Sequence, residues 1–410
     1  MGNPPQTDPL FRLLSGSDPS PGSTERVRQS LQAIRNHLGM EVAYISEFVG
    51  DQAIFREVDA PGLEAMIKVG DARSLDDIYC RHILAGRLPE LIPDTAAEPV
   101  AMALPITAAL PIGKHASVPI RLSDGTVHGM FCCLGFEPDP TLHERDLRMM
   151  RVFAELTALE IGRDLAAQKR AAEKEARIRT AIEEDRMSMV YQPIWRLKDR
   201  RPVGFECLAR FAGTPPRSPD TWFAEAAEAG LGAPLEIAAI RKGLEALAAF
   251  PAEIYLAVNV SPSTILTPAF AEAMAALPAE RIVLEVTEHA RVADYDALRA
   301  ALAPHLGRGA RLAVDDTGAG YASLQHIVRL EPHLIKLDMN LTRNIDDDPA
   351  RQALTAALTM FARETGSGVI AECVETAAQL EMLRSIGVDL AQGYFLGRPM
   401  PLEEALKLCA

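Results

Sequence analysis

A chain of 410 residues is too long for one ordinary hydrophobic core, and its 48% hydrophobic and 24% charged residues are typical of a water-soluble protein with two or three domains. Its formal net charge of −14 argues against a protein that wraps DNA or RNA through non-specific phosphate contacts. The six cysteines form no CxxC pair and are too few for a disulfide scaffold, which favours a reducing cytoplasm, and we find no run of about 18 apolar residues that would insert into a membrane.

The first 23 residues are rich in Pro, Gly, Ser and Asp, and we expect them to form a disordered tail. From Thr24 the spacing of apolar residues predicts an amphipathic helix that runs to about Leu38. Strands are predicted next, at Val42–Val49 and Ile54–Glu57. The first folded domain is therefore expected to begin at residue 24.

Two further strands, Ala116–Arg121 and His128–Leu134, flank the turn Ser123-Asp124-Gly125 and predict a β-hairpin. Helix, strands, a variable middle, this hairpin and a closing helix follow one another over residues 24–165. In this order the segment resembles an α+β GAF domain, a small-molecule and signal-sensing module. The resemblance implies a sensor domain, whose ligand the sequence does not name.

The cysteines of this domain allow two interpretations. Cys80-Arg81-His82 resembles the place where GAF domains of photoreceptors attach bilins, although Arg81 separates the cysteine from the histidine. We favour the alternative, a buried cysteine beside a histidine on a helix surface. Cys132 and Cys133 are expected to fill a strand, because adjacent side chains of a strand point to opposite faces.

Residues from Leu142 to about Arg186 lack proline and predict one long helix or two in tandem. Its apolar positions are Leu147, Met150, Phe153, Leu156, Leu159 and Ile161. This stripe exceeds what one small domain needs to cover, which favours a homodimer through parallel pairing of two copies; the alternative is that it only closes the first core. Residues 166–178 are the expected helical linker, and residues 179–410 form the second domain.

Eight strands are predicted in the second half, with helices between the later ones. The strands are Val190–Trp195, Gly204–Ala209, Ile254–Val260, Arg281–Val286, Arg311–Asp315, Leu334–Asp338, Val369–Glu372 and Leu390–Phe395. The helices include Pro268–Leu277, Tyr295–Leu306, Ala350–Thr365 and Ala377–Ile386. Because Leu197–Arg201 is too short for a crossover helix, the first two strands should form a hairpin. The pattern predicts a TIM-like (β/α)8 barrel with one antiparallel strand.

Polar residues occupy the carboxyl ends of these strands, where β/α barrels carry their chemistry. They are Glu206, Asn259, Glu285, Asp315, Asp316, Lys336, Asp338, Glu372 and Gln392. So many carboxylates around one lysine would repel one another unless cations were bound. Because the set offers oxygen ligands and contains neither histidine nor cysteine, it favours Mg²⁺ or Mn²⁺ over zinc. Two ions that share Asp315 would suit hydrolysis of a phosphodiester.

A series of motifs adds a family resemblance. In chain order they are YQPI (Tyr191–Ile194), ECLAR (Glu206–Arg210), VNVS (Val258–Ser261), LEVTE (Leu284–Glu288), DDTGAGYASL (Asp315–Leu324), IKLD (Ile335–Asp338), AECVET (Ala371–Thr376) and QGYFLGRP (Gln392–Pro399). From about residue 175 onward the chain resembles the EAL-domain cyclic di-GMP phosphodiesterases of bacterial second-messenger signalling. The resemblance implies an enzyme that hydrolyses cyclic di-GMP to linear pGpG with two Mg²⁺ or Mn²⁺ ions.

Carried over residue by residue, the resemblance assigns the metal ligands. One ion would be held by Glu206, Asn259, Glu285 and Asp315, and the second by Asp315, Asp316 and Glu372. The catalytic residues would be Lys336, Glu372 and Glu206, with Lys336 helping to activate the nucleophilic water. Ca²⁺, which is larger and less strict in its geometry, is expected to support binding without efficient hydrolysis.

The resemblance also assigns substrate contacts, to Gln192, Leu208, Arg210, Asp338, Glu375 and Gln392. Arg210 would bind phosphate through charge-assisted hydrogen bonds, while Glu375 and Gln392 would orient water or guanine edges. The alternative is that these are ordinary residues of the barrel rim. Glu288 would anchor the loop that begins at Asp316, which in this family couples the metal site to the dimer interface.

Three positions depart from the family's pattern. Cys207 replaces the alanine of EAL, Thr317 replaces the phenylalanine after the paired aspartates, and Cys373 replaces the glycine of AEGVE. By strand alternation Cys207 and Cys373 should point away from the metals and pack behind them. None of the three removes a ligand, so we expect activity; the alternatives are a catalytically weak or silent receptor for cyclic di-GMP and a metal-free scaffold.

Overall fold

The computed structural model describes residues 23–213, 216–287, 292–317 and 321–409, and it describes the backbone alone at residues 23, 24, 287, 316, 317 and 321–324. The expected tail, apart from its last residue, lies outside the described part of the chain. The chain divides into two compact units, with the division between Arg170 and Ala171.

The first unit combines a sheet with short helices and the start of a long one. Its strands are β1 (Val42–Val49), β2 (Gln52–Asp59), β3 (Ala72–Ser74), β4 (Leu91–Ile92), β5 (Lys114–Arg121) and β6 (Val127–Gly135). Its helices are α1 (Ser23–His37), α2 (Tyr79–Leu84), α3 (Pro99–Met102), α4 (Pro105–Ala109) and the first part of α5 (Glu144–Glu183). The predicted helix, strands and hairpin are all present.

The sheet of the first unit has the order β3-β2-β1-β6-β5-β4, and all neighbours are antiparallel. Gly125 closes the β5–β6 hairpin with a φ of 84°, a conformation that favours glycine. Each face of the sheet carries its own hydrophobic cluster. Cys132 packs in one cluster together with buried Cys80, and Cys133 packs in the other, as strand alternation predicts.

α5 is one continuous helix of 40 residues. In its first part Leu147, Met150 and Phe153 are buried in the core of the first unit, so part of the predicted apolar stripe closes that core. Leu159, a member of the stripe, is 59% exposed, and Val152, which lies outside the stripe, is 48% exposed. The stripe therefore contains more apolar surface than the first unit covers.

The second unit contains eight strands and the helices between them. The strands are β7 (Met187–Arg196), β8 (Arg201–Phe211), β9 (Tyr255–Asn259), β10 (Ile282–Thr287), β11 (Arg311–Thr317), β12 (Leu334–Leu337), β13 (Gly368–Ala371) and β14 (Leu390–Ala391). The helices are α6 (Pro219–Glu228), α7 (Gly232–Leu244), α8 (Pro262–Ile265), α9 (Pro268–Ala275), α10 (Tyr295–Leu306), α11 (Tyr321–Leu330), α12 (Met339–Thr342), α13 (Pro349–Thr365), α14 (Ala377–Ile386) and α15 (Leu402–Lys407).

These strands close into a barrel in the order β10-β11-β12-β13-β14-β7-β8-β9. β7 is antiparallel to both β14 and β8, and the other neighbours are parallel. The reversal follows from the short connection between β7 and β8, in which Arg200 has a φ of 54°, because a parallel neighbour would need a long crossover. The predicted barrel with one antiparallel strand is confirmed.

The barrel strands are buried on both faces, as parallel strands covered by helices must be. Outward residues such as Leu256, Leu284 and Ile335 pack in the large core beneath the helices. Inward residues such as Ala257 and Val283 fill the barrel itself. β14 ends at Ala391, earlier than predicted, because the chain turns there into a loop that lays Gly393 against the backbone of Val374.

Among the described residues we find no helix with both the length and the apolar character that a membrane span requires.

Candidate active site

One layer of apolar side chains crosses the inside of the barrel and supports the polar groups. Its buried members are Ile194, Tyr255, Ala257, Val283, Ala313, Leu334 and Ile370. Because side chains of a strand alternate, the next inward residue lies two positions further on. In the forward strands that rule places Asn259, Glu285, Asp315 and Lys336 directly above this layer, and Glu372, the first residue after β13, contacts Lys336 at the same level. β7 runs in the opposite direction, so the inward residue above Ile194 in this strand is Gln192, two positions earlier in the sequence.

Lys336 is the centre of the polar layer. Its side chain is fully buried, and its Nζ lies 2.9 Å from Glu285 Oε2, 3.0 Å from Asp315 Oδ2 and 2.9 Å from Glu372 Oε1. Glu206 Oε2 is slightly further away, at 3.6 Å. Four carboxylates therefore surround one ammonium group, which leaves the cluster with an excess of negative charge.

Burial and the neighbouring charges shift the pKa values of Lys336, Glu372 and Glu285. Burial favours the neutral amine of Lys336, but the carboxylates of Asp315, Glu206, Glu285 and Glu372 outweigh it and hold the pKa well above its usual value. Burial, together with the neighbouring Asp315 and Glu206, raises the pKa of Glu372 to about 8 despite the nearby Lys336. Burial likewise raises the pKa of Glu285 well above its usual value. Without further cations the cluster favours bound protons.

The same groups fit a divalent metal ion. One carboxylate oxygen from each of Glu206, Glu285 and Asp315 lies within 4.8 Å of the other two. Glu285 Oε1 is buried and has no hydrogen-bond partner among the described residues, so the cluster offers an oxygen that no protein donor satisfies. Three oxygen donors with no nitrogen or sulfur are the chemistry that Mg²⁺ and Mn²⁺ prefer.

Two amides hold Glu206 in place. Gln392 Nε2 donates to Glu206 Oε2 at 2.6 Å and to Gln192 Oε1 at 2.9 Å, and Gln192 Nε2 donates to the carbonyl oxygen of Gly397 at 3.1 Å. Asn259 Nδ2 donates to Glu206 Oε1 at 3.0 Å. Gln192 and Gln392 are both buried; Gln392 orients Glu206, and Gln192 in turn supports Gln392.

The other residues expected to bind substrate lie outside this network. Arg210 is half-buried on the same face of β8 as Glu206, four residues closer to the strand's carboxyl end, and its Nη1 donates to the carbonyl oxygen of Ala209. Leu208, also half-buried, lies between them on that face. Asp338 accepts a hydrogen bond from the Asn340 amide and begins α12.

Several of the expected positions are exposed or outside the described residues. Glu375 is exposed at the start of the segment that leads into α14. Asp316 and Thr317 belong to β11, but their side chains lie outside the described part of the chain, and so does the whole of Glu288. Of the predicted site residues, the structure brings five into one cluster, namely Lys336, Glu206, Glu285, Asp315 and Glu372.

The two cysteine departures have different surroundings. Cys207 is buried and faces α7, where its Cβ would lie 3.0 Å from a Cβ added to Gly243; this agrees with the expectation that it packs behind the site. Cys373 was expected to do the same, and that prediction is wrong. β13 ends at Ala371, so strand alternation no longer applies, and Cys373 is exposed with a left-handed φ of 54°.

Glu236 is a supporting residue that sequence reasoning missed. Its Oε2 accepts hydrogen bonds from the Ser261 amide at 2.8 Å and from Ser261 Oγ at 2.9 Å. Ser261 lies two residues after Asn259, so Glu236 fixes the turn that follows β9. The VNVS motif indicated one half of this contact, but the other half lies on α7, a helix for which no motif gave a signal.

Comparison with known proteins agrees with this geometry. The EAL domain model matches residues 175–399, more than half of the chain, and the GAF domain model matches residues 22–161. The cyclic di-GMP phosphodiesterase PdeF of Escherichia coli K12 is 29% identical over 241 residues, which cover 56% of this chain and 32% of PdeF. The chain spans about a third of the length of several curated relatives that it matches.

Two solved structures are similar as well. The PaMucR phosphodiesterase in complex with c-di-GMP is 28% identical with a TM-score of 0.51, and the match covers 57% of this chain and 100% of that one. The EAL enzyme Bd1971, in its cAMP- and cyclic-di-GMP-bound form, matches 90% of this chain and 93% of its own with a TM-score of 0.56, but at 18% identity the likeness shows the fold alone. The chain belongs to the EAL domain family, and a GAF domain precedes its EAL domain.

Proposed function

We propose that this protein is a phosphodiesterase that hydrolyses cyclic di-GMP to linear pGpG. The observation that carries the proposal is the buried cluster of four carboxylates around Lys336, with oxygens of three of them close enough to share a cation. Such a cluster is costly to keep buried unless metal binding compensates it. The likeness to PdeF and to the PaMucR phosphodiesterase supports cyclic di-GMP as the substrate.

The residues present suit two Mg²⁺ or Mn²⁺ ions. We assign Glu206, Asn259, Glu285 and Asp315 to one ion and Asp315, Asp316 and Glu372 to the other. When bound, the ions supply a nucleophile at neutral pH and offset the charge that develops on the phosphate. Asn259 and Gln392 already donate to the two oxygens of Glu206, which supports a carboxylate held ready for a metal.

The chain's own groups supply orientation and charge. Lys336 holds three carboxylates within 3.0 Å and adds a fixed positive charge close to the reacting phosphate. Arg210, on the inward face of β8 toward the open end of the barrel, is the candidate for binding phosphate. The other proposed substrate contacts are Gln192, Leu208, Asp338, Glu375 and Gln392, and Glu288 is the proposed loop anchor.

Hydrolysis and binding can be separated in one experiment. We expect the full chain with Mg²⁺ or Mn²⁺ to produce pGpG, and Glu206→Ala to abolish turnover, because this carboxylate is held at both oxygens for the metal. Glu253→Ala, at a glutamate outside the cluster, is the matched control and should keep full turnover. With Ca²⁺ the wild-type chain should bind cyclic di-GMP but hydrolyse it poorly. Tight binding without turnover in Mg²⁺ and Mn²⁺ would instead establish a silent receptor.

We further propose that the GAF domain regulates the EAL domain in a homodimer. Val152 and Leu159 on α5 provide exposed apolar surface for the pairing of two helices. A shift in that pairing would bias the metal site by the 1–3 kcal/mol typical of coupled sites, which is about 5–150-fold in affinity. A chain that begins at Lys174 tests this. If it is as dimeric and as active as the full chain at every metal concentration, the regulatory role is wrong.

A further inference from the structure

A groove on the outer wall of the barrel, separate from the carboxylate cluster, has the character of a ligand site. One side is the face of α14 that carries Ala377, Leu380 and Arg384. The other side is formed by Trp195 and by Phe395 of the loop after β14. The groove has a cavity volume of about 350 Å³. That volume falls in the range of small-molecule sites.

Trp195 forms one wall of this groove. Ile194 packs inside the barrel, whereas the ring of Trp195 lines the groove. The indole Nε1 is buried away from solvent, so the groove is lined by the carbon part of the ring. Trp195 therefore offers an aromatic surface to an apolar body.

The charges that line the groove favour an anion. Three of its lining residues are the arginines Arg196, Arg200 and Arg384, and its one acidic lining residue is Glu381. Arg196 is paired with Asp199 outside the groove, whereas Arg200 and Arg384 share Glu381, at 3.6 and 3.0 Å. One positive charge is therefore left over, in a chain whose formal net charge is −14.

The remaining walls are apolar. Leu380 is 8% exposed and forms part of the floor, while Phe395 is 49% exposed and presents its ring to the opening. Ala377 and Arg384 lie seven residues apart on α14, so the distance from the apolar end to the cationic end is about 10 Å. The groove can thus cover an apolar body of that length and bind a charged head at one end.

We propose that this groove binds a small amphipathic organic anion, that is, a carboxylate with an acyl or aryl body. The carboxylate pairs with Arg200 and Arg384, and the body packs against Trp195, Leu380 and Phe395. This site is independent of cyclic di-GMP hydrolysis. Phe395 and Gln392 belong to the same loop, so the groove adjoins the support of Glu206 without using any residue of the carboxylate cluster.

The chain's two tryptophans make the site measurable. Trp222 is 3% exposed and stacks on Phe211, away from the groove, so Trp222→Phe leaves Trp195 as the single emitter. We expect octanoate, added below its micelle-forming concentration, to change the emission of full-length Trp222→Phe in a saturable way. Octanamide, with the same chain and no charge, and acetate, with the charge and no chain, should each bind at least about fivefold more weakly. Calorimetry on the unmodified chain should give the same octanoate affinity.

Arginine variants test the head group. Arg384→Gln and Arg200→Gln, made in the Trp222→Phe chain, should each weaken octanoate binding about tenfold, as expected for the loss of a charge-assisted hydrogen bond. Arg241→Gln, at an exposed arginine of α7 that does not line the groove, is the matched control and should change nothing. Circular dichroism checks folding; should Arg384→Gln fail to fold, the more exposed Arg200 carries the test. The proposal is overturned if octanoate gives no saturable change, if octanamide binds as tightly, or if a folded arginine variant binds octanoate with unchanged affinity.

Discussion

Replacing Lys336 by methionine removes the ammonium group that pairs with the carboxylate cluster while keeping most of the side-chain volume. The side chain is fully buried, and its ammonium makes three contacts of 2.9 to 3.0 Å with Glu285, Asp315 and Glu372. Breaking a buried ion pair by removing one partner costs about 3–5 kcal/mol of stability, because the remaining charge is left uncompensated. We expect Lys336→Met to lose that much in metal-free buffer.

Metal should reverse most of this loss. Divalent cations bound by the same carboxylates replace the missing positive charge, so with saturating Mg²⁺ the stability of Lys336→Met should approach that of the wild type. Turnover should not recover. In the proposed mechanism the ammonium group contributes a fixed charge near the reacting phosphate, and the loss of one such group costs roughly 10²–10³-fold in kcat. The affinity for cyclic di-GMP should change far less than kcat.

Tryptophan emission makes the stability measurement specific. Trp195 and Trp222 both lie in the second unit, so denaturant unfolding followed by tryptophan emission reports on the barrel alone. Unfolding is measured in EDTA and in Mg²⁺, and turnover and substrate binding are measured on the same preparations. Lys242→Met is the matched control, since this lysine pairs with Asp185 at the surface and should contribute about 1 kcal/mol or less.

Two outcomes would refute the reasoning. If Lys336→Met were equally destabilised in EDTA and in Mg²⁺, the lysine and the metals would not be neutralising the same carboxylates. If kcat and substrate affinity fell by the same factor, Lys336 would be a substrate anchor and not a group that acts in the transition state.

Further predictions concern the surroundings of the cluster. Glu236→Gln removes the anionic acceptor for Ser261 and should weaken Mn²⁺ binding about tenfold by calorimetry. Ser261→Ala should have a smaller effect, because the backbone amide of residue 261 still donates to Glu236. Unchanged Mn²⁺ affinity in Glu236→Gln would mean that Glu236 does not position Asn259. Cys373→Gly should stabilise the barrel by about 1 kcal/mol in tryptophan-monitored unfolding, because a left-handed φ of 54° strains a side chain, and a loss of stability would contradict this. In the metal-free folded protein the pKa of Glu372 is about 8, whereas the carboxyl of the unfolded chain has a pKa near 4.5. Between these values the folded state binds more protons than the unfolded state, so stability should fall as pH rises. Mg²⁺ should therefore raise the melting temperature more at about pH 8 than at about pH 5.5, and Glu372→Gln should reduce the difference; equal gains at both pH values in the wild type would disprove it.

The fold was predicted mainly from the periodicity of the strands. Eight apolar runs that end in polar residues identified the barrel, and the short connection after Trp195 identified the reversed strand β7. Local signals also set helix ends, as at Tyr295–Leu306, which the structure reproduces. What the sequence could not supply was the length of β14, because the loop that replaces its second half is determined by packing of Gly393 against Val374.

The carboxylate cluster was predictable for a related reason. Glu285, Asp315 and Lys336 each follow an apolar inward residue by two positions, so strand alternation brings them to one level of the barrel. Contacts between distant parts of the chain were not predictable. Gln192 and Gln392 were predicted to contact substrate, but nothing in the sequence indicated that they also bond to each other and that Gln392 bonds to Glu206. Hydrogen bonds between residues about 200 positions apart leave no local pattern.

Cys373 shows where alternation stops being a guide. The rule requires that the residue belong to a strand, and β13 ends two residues earlier, at Ala371. Beyond that point the backbone turns, and the side-chain direction depends on the turn and not on the count from the strand. Glycine is the residue that such a left-handed position favours, which gives a physical reason for the glycine of the AEGVE pattern at this place.

The most direct test of the phosphodiesterase assignment is the fate of cyclic di-GMP in water enriched in ¹⁸O. The full chain with Mg²⁺ should release linear pGpG whose terminal phosphate carries one ¹⁸O atom from water; release should stop when EDTA is added and resume when Mg²⁺ is restored. Mass spectrometry of the product reads both the cleavage and the origin of the oxygen. Recovery of unchanged cyclic di-GMP from a protein that binds it, in Mg²⁺ and in Mn²⁺ alike, would contradict the account.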